Sequence, residues 1–129
     1  MAVYLDSSAA VKLIVGEAES GALERWLRPH NVLASSALLR TELLRAVRRG
    51  APTRILEARE ALSAFTLRTV DDEILDAAAE IAPGFIRSLD AIHLATALRL
   101  AAELEAVVTY DRRMIEAARS LGLLVASPA

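Results

Sequence analysis

Short apolar runs alternate along this chain with longer stretches in which apolar residues recur at helical spacing. The short runs predict five strands, at residues 2–6, 31–35, 66–70, 106–110 and 123–127. The longer amphipathic stretches predict helices, at about 7–15, 17–28, 36–49, 52–64, 72–82, 88–104 and 111–121. Strands that alternate with helices form a parallel sheet with both faces covered. The pattern therefore predicts an α/β fold, a three-layer α/β/α sandwich around a five-stranded parallel sheet.

Proline, glycine and serine mark several of the predicted helix boundaries. Pro29 is expected to stop the second helix, and Gly50 to end the helix that follows the second strand. Ser88 is predicted to be the N-cap of the longest helix, and Gly122 to occupy the C′ position after the last one. No linker, repeat or low-complexity tract interrupts the pattern. Residues 1–129 are therefore expected to form a single domain.

Composition narrows the class of protein. The hydrophobic share of 54% is high for a soluble chain, which favours apolar surface reserved for a partner such as a second copy, although a compact Ala-rich helical shell would give a similar share. The absence of cysteine excludes disulfides and thiolate metal sites. A net charge of −2 argues against a protein that coats nucleic acid unselectively. Asp6 and Lys12 interrupt the apolar start, and no charge-free stretch approaches the ~20 residues of a membrane span. We therefore expect no signal peptide, no membrane association and a cytoplasmic location.

Four acidic residues occupy positions that call for an explanation. Asp6 and Asp111 directly follow predicted strands, and Glu42 and Asp90 lie within apolar helices. Ligands of open α/β sheets bind at the carboxyl ends of the strands, which is where Asp6 and Asp111 fall. Carboxylates gathered in one cleft repel each other by roughly 4 kcal/mol per close pair at an effective dielectric constant near 20. A cation must hold such a group together, and oxygen ligands suit Mg²⁺ or Mn²⁺. The four positions thus predict metal-assisted phosphodiester chemistry.

Each acid also has a simpler structural explanation. Asp6 and Asp111 would serve as N-caps, and Asp90 would be favoured in a first helical turn by the helix dipole. Glu42 would form a surface pair with Arg45, three residues later. The two strand-end carboxylates converge only if their strands lie close in the sheet, which the residues alone do not establish.

Five segments carry a family resemblance that spans essentially the whole chain. They are YLDSSA, TELLRA, LDAIHLATAL, VVTYDRRM and the closing AARSLGLLVASP. In these segments the chain resembles the PIN-domain nucleases, and in particular the VapC toxins of bacterial VapBC toxin–antitoxin pairs. The resemblance implies a PIN-like fold and a metal-dependent endoribonuclease that acts as the toxin of a type II toxin–antitoxin system.

The resemblance also implies roles for individual residues. The family's catalytic quartet, which coordinates one or two Mg²⁺ or Mn²⁺ ions, falls on Asp6, Glu42, Asp90 and Asp111. Ser8 and Thr109 match hydroxyl positions beside that site, where they would orient a carboxylate or a water. The implied reaction is hydrolysis of RNA by metal-activated water, leaving a 5′ phosphate and a 3′ hydroxyl. The implied partners are a VapB-type antitoxin that covers the cleft and a second copy of the toxin.

Basic and aromatic residues outside the quartet have two interpretations. The clustered arginines are expected either to contact RNA or the antitoxin or to form solvated helix faces. They are Arg45, Arg48, Arg49, Arg112 and Arg113. His93, one turn beyond Asp90, is expected to form hydrogen bonds within the core and not to bind metal. Trp26 and Phe65 are interpreted as core or dimer-contact residues.

Two other functions are compatible with parts of the pattern. One is a catalytically silent PIN-fold interaction protein. The other is a phosphoryl-transfer domain of the haloacid-dehalogenase or receiver type, which also has an Asp after its first strand. Such a phosphatase needs a second Asp where Ser8 stands, and a Lys near a later strand, whereas Lys12 is the only lysine. The target RNA cannot be predicted, because specificity in RNA cleavage depends on loop shape and scattered contacts.

Overall fold

The computed structural model describes all 129 residues. Its five strands are β1 (Ala2–Leu5), β2 (Val32–Ser36), β3 (Phe65–Arg68), β4 (Leu104–Val108) and β5 (Val125–Ala126). They form one sheet in the order β3-β2-β1-β4-β5, and every neighbouring pair is parallel. The predicted five-stranded parallel sheet is therefore confirmed.

Seven α-helices connect the strands. They are α1 (Ser7–Ala10), α2 (Ser20–Leu27), α3 (Leu39–Gly50), α4 (Ile55–Ser63), α5 (Asp72–Ala79), α6 (Ser88–Leu100) and α7 (Arg112–Ser120). Short 3₁₀ turns lie at Val11–Leu13, Pro52–Arg54 and Ala101–Glu103. None of these helices has the length and apolar character needed to cross a membrane.

The start and end of the longest helix differ from the prediction. Ser88 is the first residue of α6, and its N-cap is Arg87, whose side chain makes no capping hydrogen bond. The predicted end near residue 104 is also wrong, because Leu104 begins β4 and pairs with Ala2 of β1. Pairing in the sheet thus places Leu104 in a strand, although helical periodicity alone assigned it to the helix. The prediction for Gly122 is confirmed, since its φ of 85° lies in the left-handed region.

Two layers of helices cover the sheet. Successive side chains of β1 point to opposite faces, so Val3 and Leu5 face one layer while Tyr4 faces the other. Val3 and Leu5 pack in the same core cluster as buried residues of α1, α2, α3 and α4. Tyr4 packs in a second cluster with Leu94 of α6 and Met114 of α7. Helices α3 and α6 therefore lie on opposite faces, which confirms the three-layer sandwich.

The strand order also answers whether Asp6 and Asp111 can meet. Strand β1 lies between β2 and β4, and the chain leaves it toward β2 and later returns to β4. The carboxyl ends of β1 and β4 thus form the switch point at which α/β sheets bind ligands. The backbone N–H of Asp6 donates to the carbonyl oxygen of Val108 at 3.3 Å, so pairing continues to this edge. Asp6 and Asp111 consequently follow adjacent strands.

Candidate functional site

A cleft of about 560 Å³ opens at the carboxyl edge of β1 and β4. All four predicted acids line it: Asp6, Glu42, Asp90 and Asp111. A second depression of about 630 Å³, between α3 and α4, contains Arg40 and Arg59 and no acidic side chain. The predicted acids therefore lie in the cleft and not in the larger depression.

Asp6 is the most constrained of the four acids. Its Oδ1 accepts hydrogen bonds from Ser8 Oγ at 2.7 Å and from the backbone N–H of Ala9 at 3.1 Å. Its Oδ2 accepts one from Thr109 Oγ1 at 2.6 Å. Burial raises the pKa of Asp6 even though these three bonds favour the charged form. Asp6 caps α1, as its simpler interpretation predicted, and lines the cleft as well.

Ser8 and Thr109 link the segments that follow β1 and β4. The hydroxyl of Ser8 accepts the backbone N–H of Tyr110 at 3.0 Å, and that of Thr109 accepts the N–H of Asp111 at 3.3 Å. Each hydroxyl donates to Asp6, and so each orients a cleft carboxylate in the manner that the resemblance implied. The two hydroxyls thereby hold the loop carrying Asp111 against the start of α1.

Asp90 and Asp111 are bridged by an arginine that sequence reasoning missed. Arg87 Nε lies 3.6 Å from Asp90 Oδ2, and Arg87 Nη2 lies 3.7 Å from Asp111 Oδ2. Asp111 Oδ1 caps α7 by accepting the backbone N–H groups of Arg113 and Met114. The Arg87 side chain is 73% exposed, so the bridge is loose and open to solvent. The three-residue spacing from Arg87 to Asp90 was the one signal for it in the sequence.

Charge accumulates around Asp90. Partial burial raises the pKa of its carboxyl, and the neighbouring Asp111 and Glu42 add to the rise. Arg87 and His93 oppose it. Asp90 is thus the acid at which crowding of like charges is most evident.

Glu42 is held by a histidine and not by the predicted surface partner. Its Oε1 lies 2.6 Å from His93 Nε2, and its Oε2 lies 3.4 Å from Ser7 Oγ. His93 Nδ1 lies 2.7 Å from the hydroxyl of Tyr4. Glu42 forms no ion pair with Arg45, so that expectation is wrong. The expectation that His93 bonds within the core is confirmed, although its acidic partner was not foreseen.

The predicted arginines separate into two groups. Arg45 and Arg49, on α3, line the cleft. The other three are exposed and lie outside its lining: Arg48, Arg112 and Arg113. The two aromatics belong to the core that contains Val3, since Phe65 is buried there and Trp26 packs against it.

The cleft residues fit a hard divalent cation, although their side chains do not yet surround one. No three Asp, Glu or His side chains lie close enough together to share an ion as they stand. The available donors are carboxylate oxygens, which Mg²⁺ and Mn²⁺ prefer, and each carboxylate has about four acceptor positions. Both nitrogens of His93 are engaged by Glu42 and Tyr4, which leaves an all-oxygen donor set. These carboxylate oxygens would hold the ion, and the Arg87 guanidinium lies near two of them.

Comparison with known proteins agrees with this architecture. The PIN domain family matches residues 3–120. This chain belongs to the PIN-domain family. Ribonuclease VapC46 of Mycobacterium tuberculosis (strain ATCC 25618 / H37Rv) is 48% identical over 127 residues, covering 98% of both chains. Ribonuclease VapC47 of M. tuberculosis (strain CDC 1551 / Oshkosh) is 39% identical over 131 residues, covering 98% of this PIN-domain chain and 96% of its own.

Two solved structures share the PIN fold of this chain. M. tuberculosis VapC20, a Sarcin-Ricin loop cleaving toxin, matches with a TM-score of 0.74 at 18% identity, covering 98% of this chain and 99% of its own. A toxin–antitoxin complex from Klebsiella pneumoniae matches with a TM-score of 0.72 at 19% identity, covering 98% of each chain. At such identities the likeness shows the fold alone. The predicted family and the PIN-like fold are confirmed, and VapC-type PIN ribonucleases generally depend on a divalent metal.

Proposed function

We propose that this PIN-domain protein is a VapC-type endoribonuclease, the toxin of a type II toxin–antitoxin system, which hydrolyses RNA with Mg²⁺ or Mn²⁺. One observation carries the proposal: the four acids from separate parts of the chain line a single cleft. Relatives named Ribonuclease VapC, 48% and 39% identical over nearly the full chain, support it. Residues 1–129 would constitute a single PIN domain.

The roles of the cleft residues follow from how each is held. A divalent ion bound there would lower the pKa of an attacking water and neutralise charge on the phosphate. Asp6, fixed by Ser8 and Thr109, supplies a carboxylate whose orientation is set before any ligand arrives. Asp90 and Asp111 each place an Oδ2 near the exposed Arg87, and Asp111 is also held through Oδ1 by the start of α7.

The RNA would be held mainly through its phosphates. Arg45 and Arg49 place guanidinium groups on the α3 wall of the cleft, and this group suits bidentate phosphate contacts. No aromatic side chain lines the cleft, so base stacking is not the basis of binding there. Arg48, Arg112 and Arg113 lie outside the cleft lining and would make outer contacts to an antitoxin.

We assign the partners from the same surfaces. A VapB-type antitoxin would cover the cleft and direct a cationic side chain at its acids. The position of Arg87 between Asp90 and Asp111 supports this, since a guanidinium already fits there. Exposed Leu75 and Phe85 supply apolar surface outside the cleft lining that is compatible with a homodimer. We place the protein in the cytoplasm, where it would meet its RNA.

The decisive experiment compares RNA ends in cells. New 5′-phosphate RNA ends would be sequenced from cells that express the wild type, Asp90→Asn or Asp76→Asn. Asp76 is exposed on α5, outside the cleft, and so serves as a matched control. We expect new ends with the wild type and the control, and none with Asp90→Asn. Identical ends in all three would refute the assignment.

A PIN-fold interaction protein without catalysis is the remaining candidate, since Arg87 bridges two of the acids. Purified protein distinguishes the two, because a nuclease cleaves RNA with Mn²⁺ and stops when EDTA is added. The phosphoryl-transfer alternative finds no support in the cleft. Ser8, where that chemistry needs a second Asp, donates to Asp6, and Lys12 is paired with Glu17 and Glu19 outside the cleft lining.

A further inference from the structure

We propose that His93 is a positioning residue of the nuclease site, which sets the orientation of the Glu42 carboxylate and thereby the affinity of the cleft for its metal. The inference rests on the proposed function, because it concerns the same acids. His93 itself touches neither the cleft nor any reacting group, since it is buried and absent from the cleft lining.

The geometry places His93 between two layers of the fold. Glu42 belongs to α3 on one face of the sheet, and His93 belongs to α6 on the other. Their contact, 2.6 Å from Nε2 to Oε1, therefore joins the two helix layers at the cleft. Asp90 lies one turn before His93 on the same helix. His93 thus connects the Glu42 carboxylate to α6, the helix that carries Asp90.

The hydrogen bonds define which nitrogen carries the proton. An ionised carboxylate only accepts, so His93 Nε2 must be the donor to Glu42 Oε1. The Tyr4 hydroxyl lies 2.7 Å from Nδ1, and because a hydroxyl can either donate or accept, it can pair with that nitrogen in either protonation state of the ring. Tyr4 thus holds the His93 ring through Nδ1, and His93 holds one oxygen of Glu42 through Nε2. Buried side-chain nitrogen and oxygen atoms without a partner are absent, so the Tyr4–His93–Glu42 chain is complete.

The second oxygen of Glu42 is held much more weakly. Oε2 has only Ser7 Oγ at 3.4 Å, beyond the usual range of a strong hydrogen bond. With Oε1 fixed and Oε2 lightly held, Glu42 presents one oxygen in a defined direction to a ligand. Loss of a partner that orients a metal-binding side chain typically costs 10–100-fold in metal affinity.

Two substitutions separate positioning from packing. His93→Gln puts an amide nitrogen close to the place of Nε2 and so keeps a donor for Glu42. His93→Asn ends near the place of Nδ1, so it keeps a polar partner for Tyr4 and loses Glu42. Both variants remain polar in the same buried space, which makes them a matched pair.

The measurement is Mn²⁺ binding to RNA-free protein by isothermal titration calorimetry, with Glu42→Gln as the reference for a lost ligand. We expect wild-type affinity to fall about 10–100-fold in His93→Asn and to be largely retained in His93→Gln. Circular dichroism would establish that both variants are folded.

The outcomes separate the inference from the function on which it rests. If the wild type binds no Mn²⁺, or Glu42→Gln binds it unchanged, the proposed metal site fails and the inference fails with it. If Glu42→Gln weakens binding but His93→Asn does not, only the positioning role is overturned. Equal losses in the two His93 variants would also overturn it, because they would indicate packing. Should His93→Asn not fold, Tyr4→Phe replaces it, with several-fold weaker Mn²⁺ binding expected and unchanged binding contradicting the inference.

Discussion

Thr109 donates its hydroxyl proton to Asp6 at 2.6 Å, across the neighbouring strands β4 and β1. Both side chains are buried, so this bond satisfies a carboxylate oxygen that has little contact with solvent. Loss of this hydrogen bond should therefore affect both the stability of the fold and the arrangement of the cleft.

Replacing Thr109 with valine tests that connection. Valine keeps the shape but leaves Asp6 Oδ2 without its donor, so we expect a loss of about 1–3 kcal/mol in the free energy of unfolding. Urea denaturation at neutral pH would measure it. Thr96→Val is the matched control, because the buried Thr96 hydroxyl donates to the backbone carbonyl of Ile92 in its own helix and not to a cleft carboxylate. Equal losses in both variants would show that Thr109 has no special role toward Asp6.

Arg87 should compete with metal for the cleft. Arg87→Ala removes the guanidinium between Asp90 and Asp111, and so Mn²⁺ should bind several-fold more tightly to the variant. Stability should change by less than about 1 kcal/mol, because the ion pairs are long and exposed. Calorimetric titration with Mn²⁺ would check the first expectation and urea denaturation the second. Arg48→Ala, outside the cleft lining, is the control, and weaker Mn²⁺ binding in Arg87→Ala would contradict the competition.

Neutralising Asp90 should stabilise the metal-free protein. The pKa of Asp90 is raised in the folded state, so the native protein binds that proton more tightly than the unfolded chain does. Ionisation of Asp90 therefore costs stability, a cost that is absent below the ordinary carboxyl pKa and complete above the raised one. At pH 7 Asp90→Asn should raise the melting temperature, by about 3–5 °C for each kcal/mol of desolvation and repulsion that the neutral side chain relieves. The gain should shrink as the pH approaches about 4.

With added Mn²⁺, the wild type should instead have a higher melting temperature than Asp90→Asn. A ligand that binds only the native state stabilises it by RT ln(1 + L/Kd), where L is the free ligand concentration, and the wild type, which retains all four acids, should have the lower Kd. Thermal denaturation with and without Mn²⁺ measures both effects, and Asp76→Asn controls for a simple change in net charge. A lower melting temperature of metal-free Asp90→Asn at pH 7 would mean that the cleft acids do not repel each other there.

The strands and the family could be predicted, whereas the strand neighbours could not. Apolar runs and turn residues are local signals, which is why each strand lies within a few residues of its predicted place. The pairing of Leu5 with Val108 joins distant parts of the chain, and no local pattern indicates it. The convergence of Asp6 and Asp111 depends on that pairing.

In the candidate site, too, some features could be predicted from local sequence and others depend on contacts between distant parts of the chain. The positions of Asp6 and Asp111 follow from strand ends, but the partner of Glu42 depends on two helices from opposite faces of the sheet. His93 could be predicted to bond in the core, whereas its contact with Glu42 is visible only in three dimensions. Arg87 was missed because a residue just before a helix has no periodic pattern to mark it. Its bridge to Asp111 arises from the fold.

Arg45 and Arg49 should contribute to RNA binding without affecting metal binding. Each phosphate contact to a single strand contributes about 0.7 to the slope of log affinity against log salt concentration, so Arg45→Ala and Arg49→Ala should each reduce that slope. Fluorescence anisotropy with a labelled single-stranded RNA, in an Asp90→Asn background to prevent cleavage, would measure affinity across a salt series. Arg48→Ala, on the same helix but outside the cleft lining, should leave the slope nearly unchanged. An RNA strand that follows the cleft would contact Arg45 and Arg49 but not Arg48. Equal reductions in all three variants would contradict the prediction and indicate that the RNA lies across the outer surface of α3.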